Sequence, residues 1–437
     1  MRTLVFLFIL LLHSACSSLI AQQFPILTEE EAIKIGLNNN YNILIAENQY
    51  NISKANNTNG NAGMLPQVSL NLGQTYNINN TKQEFFSGDT RTGSGVNSNG
   101  TTANITALWT LYNGKQMFVE KEKLEKIEQL SSTELQSQTE QIIYQIKNMY
   151  LQLQYQTQVI QIARTNLALT KDRLDLMKLR KDVGTGSGLS VMQAQADYNQ
   201  DSIQFVNAVQ KLKQLKIQLN NTLVRHPDTE FDVTEKIENV FPESIETSLT
   251  KGALNNRNQI VAEQMAQIAE LDIKYAQGAK LPIVNLNTGY NFARSQTELG
   301  LLKYSQNLGF NVGITGKWIL YDGNNVKRNI QIAKLKAQDA ELRKNQNQQQ
   351  LENQIFTVHM TYQQALELEK IADSNVSIAE VTLATTREMM TLGQITNLDL
   401  RQAEVILAEA KFKKLNAHFE KLYAILDINY LTGSLLK

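Results

Sequence analysis

The chain is expected to be an α+β membrane protein in which four transmembrane β-strands are joined to long coiled-coil helices. Three observations lead there. The sequence repeats itself about halfway along; its strand segments alternate in the manner of membrane staves; and two intervals free of proline and glycine are each long enough for a helix that no single globular core requires.

The repeat is specific. Leu65-Pro66-Gln67-Val68-Ser69-Leu70 reappears 216 residues on as Leu281-Pro282-Ile283-Val284-Asn285-Leu286. Trp109-Thr110-Leu111-Tyr112-Asn113-Gly114 reappears 209 residues on as Trp318-Ile319-Leu320-Tyr321-Asp322-Gly323, and Val183-Gly184 recurs at the same offset as Leu392-Gly393. The change of offset places seven extra residues inside the first strand pair. The 437 residues therefore divide into a signal segment (1–21), a first copy (22–230) and a second (231–437).

The N-terminus reads as an export signal, with Arg2 followed by the apolar run Leu4 to Leu12. Two processing sites compete: cleavage after Ala21, or lipidation of Cys16 in the box-like Ser14-Ala15-Cys16-Ser17-Ser18. Cys16 is the only cysteine, so no disulfide or thiolate metal site is expected within the chain. With 42 basic and 42 acidic residues there is no electrostatic footprint for nucleic acid. Beyond the signal no stretch approaches the ~20 apolar residues of a transmembrane helix, so entry into a membrane must use strands.

In each copy a helix (Glu29 to Asn59; about Ile245 to Gln277) runs into a Leu-Pro that stops it and starts a strand. Leu308, Phe310, Val312, Ile314, Trp318 and Leu320 then share one strand face, against Gly309, Asn311, Gly313, Thr315 and Lys317 on the other. Ala103, Ile105, Ala107, Trp109 and Leu111 alternate likewise, as do Val68, Leu70 and Leu72, and Val284, Leu286, Tyr290 and Phe292. Lengths near the ~9 to 11 residues that cross a bilayer, and Trp and Tyr at strand ends, favour membrane staves over a soluble sandwich. Ser87 to Gly100 and Ala293 to Asn307 read as polar exposed loops. Four strands cannot close a barrel, because an open edge in lipid leaves backbone groups unsatisfied; two or three chains must therefore donate strands to one barrel.

After Gly114 neither proline nor glycine occurs until Gly184, and after Gly323 none until Gly393. Each interval predicts a helix spanning on the order of 100 Å. Ile142, Ile146, Met149, Leu153, Leu174 and Met177 mark a narrow stripe suited to coiled-coil packing. Each helix ends in a short break, Gly184-Thr185-Gly186-Ser187-Gly188 and Gly393-Gln394-Ile395-Thr396-Asn397, beyond which helices resume to about Leu223 and Leu431. The first break is not a phosphate loop, since a helix and not a strand precedes it. A linker, Phe231 to Pro242, joins the copies.

This order and spacing resembles the TolC-like outer membrane efflux proteins of Gram-negative bacteria. The resemblance covers nearly the whole mature chain. It rests on Leu27-Thr28-Glu29-Glu30-Glu31-Ala32 with Leu37-Asn38-Asn39-Asn40, the twin Leu-Pro strand starts, Trp-x-Leu-Tyr-x-Gly before each long helix, and the closing Tyr430-Leu431-Thr432-Gly433. It implies a homotrimer in the outer membrane lipid, whose twelve strands form one barrel continued by a periplasmic helical tunnel. That tunnel would be docked at its tips by a periplasmic adaptor (membrane fusion) protein of an inner membrane transporter. The family places an acidic constriction just past the second tip, where Asp399 stands here, with Gln402 one turn on replacing a second acid of some members. Ser190 and Ile395 replace polar or charged residues that latch the closed state of some members, and Gln193 is the first-copy counterpart of Gln402. Asp399 also fits a plain helix N-terminal carboxylate. The tip residues from Gly184 to Leu189 and from Gly393 to Leu398 are the adaptor-contact candidates, although their glycines also suit tight turns alone.

The function implied is passive export of small molecules or drugs through an exit duct, with a protein-secretion duct as the alternative. An exported coiled-coil fibre or adhesin is a different class, but it does not need two membrane hairpins placed symmetrically before the helices. An enzyme is disfavoured: His13, His226, His359 and His418 have no metal-ligand spacing, no nucleophile elbow or Walker loop occurs, and no cofactor is expected.

Overall fold

The structure is a computed structural model that describes residues 25–234 and 242–436. The export segment with Arg2, Cys16 and Ala21, and most of the linker between the copies, lie outside the described residues. In chain order the elements are β1 (Ile26–Leu27), α1 (Glu29–Asn39), α2 (Tyr41–Asn56), β2 (Gln67–Glu84), β3 (Thr90–Asn113), α3 (Gln116–Asp182), α4 (Gly188–Thr222) and β4 (Asp232–Val233). They continue with α5 (Ile245–Asn255), α6 (Arg257–Gly278), β5 (Ile283–Thr297), β6 (Tyr304–Lys317), α7 (Asn325–Thr391) and α8 (Asn397–Leu431). No described helix is long and apolar enough to cross a membrane. Two compact units are formed, one from the residues up to Ile45, Gln136–Arg257 and Gln348–Lys437, the other from Ala46–Leu135 and Asn258–Asn347.

The second of these units holds an antiparallel four-stranded sheet of order β2-β3-β5-β6. Its register sorts side chains by face. Leu70, Ile105, Tyr290 and Phe310 lie in one row, and Leu72, Ala103, Phe292 and Leu308 in the next. On the opposite face the rows are Asn71, Asn104, Asn291 and Gly309, then Ser69, Thr106, Gly289 and Asn311. Apolar and polar faces thus run across all four strands, the alternation a lipid-facing wall needs. The indoles at the helix-proximal end are tied down alike, Trp109 Nε1 donating to the Met64 carbonyl (2.9 Å) and Trp318 Nε1 to that of Lys280 (3.1 Å).

Three expectations for this unit need correction. The strands run 18, 24, 15 and 14 residues, longer than a bilayer crossing alone requires. Most of the polar stretch Ser87 to Gly100 and both ends of Ala293 to Asn307 belong to strands, so the turns shrink to residues 85–89 and 298–303. The reason is cross-strand bonding by polar side chains. Tyr76 donates to Asn97 Oδ1 (2.7 Å), Thr101 to Gln74 Oε1 (2.7 Å), and Glu298 accepts from the Asn97 backbone (3.0 Å). Third, Trp318 to Leu320 fall outside β6, whereas their counterparts Trp109 to Leu111 lie within β3. β3 is paired on both sides, while the outer edge of β6 is bare.

The other unit packs the middle and far parts of α3 and α7 with α1, α4, α5 and α8. Both long helices run 67 residues, close to the length expected. Ile142, Ile146, Leu153, Leu174 and Met177 of the anticipated stripe are buried, and Met149 is half-buried. The helices before the strands are broken where one was expected, at Asn40 and Asn256, whose ψ of 123° and 119° is extended. Each asparagine amide caps the carbonyl at the end of a long hairpin: Asn40 Nδ2 donates to Thr222 O (2.9 Å) and Asn256 Nδ2 to Leu431 O (3.1 Å). Four residues earlier, Gly36 and Gly252 let α1 and α5 seat on Ile146 and Ile355.

Candidate functional site at the helix hairpin ends

Both hairpins turn by the same device. At the end of α3, Gly184 takes φ +80°, its N–H reaching Lys181 O (3.0 Å) while Thr185 N–H reaches Arg180 O (2.8 Å). At the end of α7, Gly393 takes φ +75°, with Gly393 N–H on Met390 O (3.1 Å) and Gln394 N–H on Met389 O (3.0 Å). A left-handed glycine that frees two backbone donors for the last turn is the usual helix stop. Gly186 also packs against the Arg180 backbone, where a Cβ would sit 3.0 Å from Arg180 Cβ.

The returning helices start on hydroxyl caps. Ser187 Oγ accepts from Ser190 N–H (3.1 Å) and meets Ser190 Oγ at 3.0 Å. Thr396 Oγ1 accepts from Asp399 N–H (3.3 Å), and the Asp399 carboxylate accepts from Thr396 N–H (2.8 Å) and hydroxyl (2.6 Å). Asp399 is therefore the second half of a capping box. The Thr396 hydroxyl and backbone N–H hold its carboxyl below the usual range. Gln193 and Gln402 are exposed, each next in sequence to a buried alanine, Ala194 and Ala403, while Ser190 and Ile395 are half-buried. Val183 and Leu189 flank the first turn, Leu392 and Leu398 the second; all four are 61 to 72% exposed.

Behind these ends lies an ion cluster that sequence reasoning missed. Arg173 of α3, 2% exposed, reaches Asp197 of α4 (Nη2 to Oδ2, 2.8 Å), Asn397 of α8 (3.1 Å) and Glu404 of α8. Its Nε lies 3.0 Å from Glu404 Oε2, close enough for an ion pair but off the line of a hydrogen bond. Arg401 forks onto Asp201 of α4 at 3.0 and 3.2 Å and approaches Asp197 at 3.7 Å. Burial pushes the Glu404 carboxyl up, against the opposing pull of Arg173, Arg401 and Arg387. Leu174, Met177, Leu383, Met390, Leu400 and Leu407 pack in the same cluster. The signal was present: Arg173 falls between Thr170 and Met177 on the buried stripe, and Glu404 between Leu400 and Leu407.

A family model described as outer membrane efflux protein matches residues 32–223 and 249–434. Outer membrane protein TolC of Salmonella enteritidis is 23% identical over 394 residues, spanning 85% of this chain and 75% of that one. Among solved structures, the outer-membrane channel OprN superposes with a TM-score of 0.80 at 17% identity, over 93% of this chain and 90% of its own. The Vibrio cholerae outer membrane protein VceC gives 0.76 at 16% identity, over 93% and 96%. Because the family model spans both copies of the duplication, with the sheet and both hairpins inside it, the chain belongs to the outer membrane efflux protein family and is an efflux channel of the outer membrane.

Proposed function

We propose that three copies of this chain form the exit duct of a tripartite efflux pump, passively carrying small molecules or drugs. A periplasmic adaptor protein would engage the hairpin ends, and an inner membrane transporter would supply the energy. The two copies of the duplication, 22–230 and 231–437, follow the 1–21 signal and give each chain two equivalent docking ends. The observation that carries this reading is the matched pair of ends. Each offers a glycine turn and two solvent-exposed aliphatic side chains, Val183 with Leu189 and Leu392 with Leu398, where solubility alone favours polar residues. Around the second end, Asp399, repeated in every copy, supplies an acidic ring at the pore constriction, with Gln402, Gln193 and Ser190 beside it and Ile395 next to the turn.

The test is export by living cells set against conductance of the purified protein. In a host lacking its own duct but carrying the cognate adaptor and pump, Leu189→Glu with Leu398→Glu is expected to abolish drug export. The same protein should keep its oligomer mass and its conductance in planar bilayers. Export at the wild-type level by this variant would remove the ends from adaptor docking.

The bare strand edges support assembly from several copies. β2 and β6 each lack a partner on one side. Within the chain β3 pairs with β5, setting Asn104 opposite Asn291 and Ile105 opposite Tyr290. Applying the duplication's two offsets, the same seam between chains sets Gly313 of β6 opposite Thr75 of the next copy's β2, and Ile314 opposite Gln74. Apolar and polar faces stay continuous across that junction.

A further inference from the structure

The polar face of the sheet carries almost no charge. Charged side chains in the four strands are Lys82, Glu84, Arg91, Arg294 and Lys317. The first three lie beyond the β2–β3 register shift at Asn79/Thr81, next to the hairpin turn. Arg294 shares the apolar face with Tyr290 and Phe292, its guanidinium 5.2 Å from the Tyr304 ring, as suits an interfacial side chain. Lys317 ends β6 at the opposite extreme. Between these limits the polar face offers amides, hydroxyls and glycines, apart from apolar side chains such as Leu108 and Ala293.

Some of those groups are engaged with one another. Ser69 and Thr106 hydroxyls meet at 2.9 Å, Asn71 Nδ2 reaches Ser69 Oγ at 3.5 Å, and Asn291 donates to Asn311 across the β5–β6 pair. An amide presents donor and acceptor equally, so it favours neither sign of charge. Where such amides satisfy each other, the wall offers few strong sites at which a solute would lodge. Pores that sort by charge carry rings of acidic or basic side chains instead.

We propose that the membrane-spanning leg of this duct is an electrically neutral amide–hydroxyl wall that does not sort solutes by sign of charge. Its cargo then extends to uncharged, cationic and anionic polar molecules alike, and charge selection is left to the helical leg. The inference rests on the duct being closed by further copies of the chain.

The experiment is the K⁺/Cl⁻ permeability ratio from reversal potentials in planar bilayers, for wild type and for the matched variants Asn104→Glu and Asn104→Lys. From the wild-type ratio, which the helical leg with its Asp399 ring sets, Glu is expected to move the ratio toward K⁺ and Lys toward Cl⁻ by similar factors, roughly threefold each way. A large response to one variant and none to the other, or a ratio unmoved by both, would overturn the neutral wall. Should either variant fail to assemble, Asn104→Cys in the inserted channel, treated with anionic or cationic methanethiosulfonate reagents, asks the same question after folding. Cys16 is the only native cysteine, so the strand thiol stands alone in the sheet. Wild type with no conductance at all would overturn the duct itself, whereas conductance with an unmoved ratio overturns this inference alone.

Discussion

Arg173 and Glu404 show how little the charge of a residue says about where it lies. Both sit in helices whose other charged residues, Glu140 apart, are at least partly exposed, yet they are 2% and 4% exposed. Removing one partner of a buried pair leaves the other without compensation, so Arg173→Met is expected to cost about 3 kcal/mol. Arg173→Met with Glu404→Met should recover much of that loss, measured by thermal unfolding of the assembled protein. The direction with pH follows from burial, which raises the Glu404 carboxyl above its unfolded value of 4.5. Its contribution to stability is complete below that value and is lost as pH rises through the higher folded one. Relative to Glu404→Gln, wild type should therefore lose stability as pH rises above the unfolded value of 4.5 and through the higher folded one, and a difference independent of pH would contradict the assignment. Asp399 is the opposite case. Its helix-terminal position was legible, and the structure gives its carboxylate two Thr396 donors. A ring of such groups needs neighbouring copies, which the four-strand count calls for without placing Asp399 among them.

Among the elements, periodicity was read well where packing alone decides and less well where polar side chains do. The two 67-residue helices follow from uninterrupted propensity, and their boundaries at Asp182 and Thr391 from the glycines that come next. The strand extensions were missed because Thr, Asn and Ser favour turns locally, and only cross-strand partners such as Tyr76 with Asn97 turn them into ladder residues. The breaks at Asn40 and Asn256 were missed for a related reason: each asparagine leaves its helix to cap a carbonyl more than a hundred residues away in sequence. Gly36 and Gly252 belong to the same joints. A Cβ at Gly252 would stand 2.8 Å from Ile355 Cδ1, and one at Gly36 would collide with Ile146 Cδ1. Gly36→Val is expected to destabilise by about 2 kcal/mol through overpacking, and Ile146→Ala in the same chain to relieve part of it. Thermal unfolding of the two variants decides this; a neutral Gly36→Val would mean that the joint is loose.

At the level of the whole molecule, duplication was the most informative property of the chain, because it predicts contacts one chain cannot show. The transferred seam makes a sharp prediction. Thr75→Cys with Gly313→Cys in one chain should give, on mild oxidation, covalently closed oligomers whose mass counts the copies. Thr75→Cys with Ile314→Cys, one residue out of register, should cross-link poorly. Equal yields from both would leave the seam unassigned in register. The docking partners are implied only by resemblance, since a neutral chain with no cofactor motif gives chemistry little to hold.

The bare edge of β6 has a genetic consequence. A chain whose β6 edge is spoiled, for instance by Gly313→Pro, still presents an intact β2 to its neighbours and so enters mixed assemblies. Where three chains share one barrel and both kinds are made in equal amounts, about one assembly in eight is free of the damaged copy. Such a mutation is therefore expected to be dominant, cutting export in cells that retain a normal gene far below half.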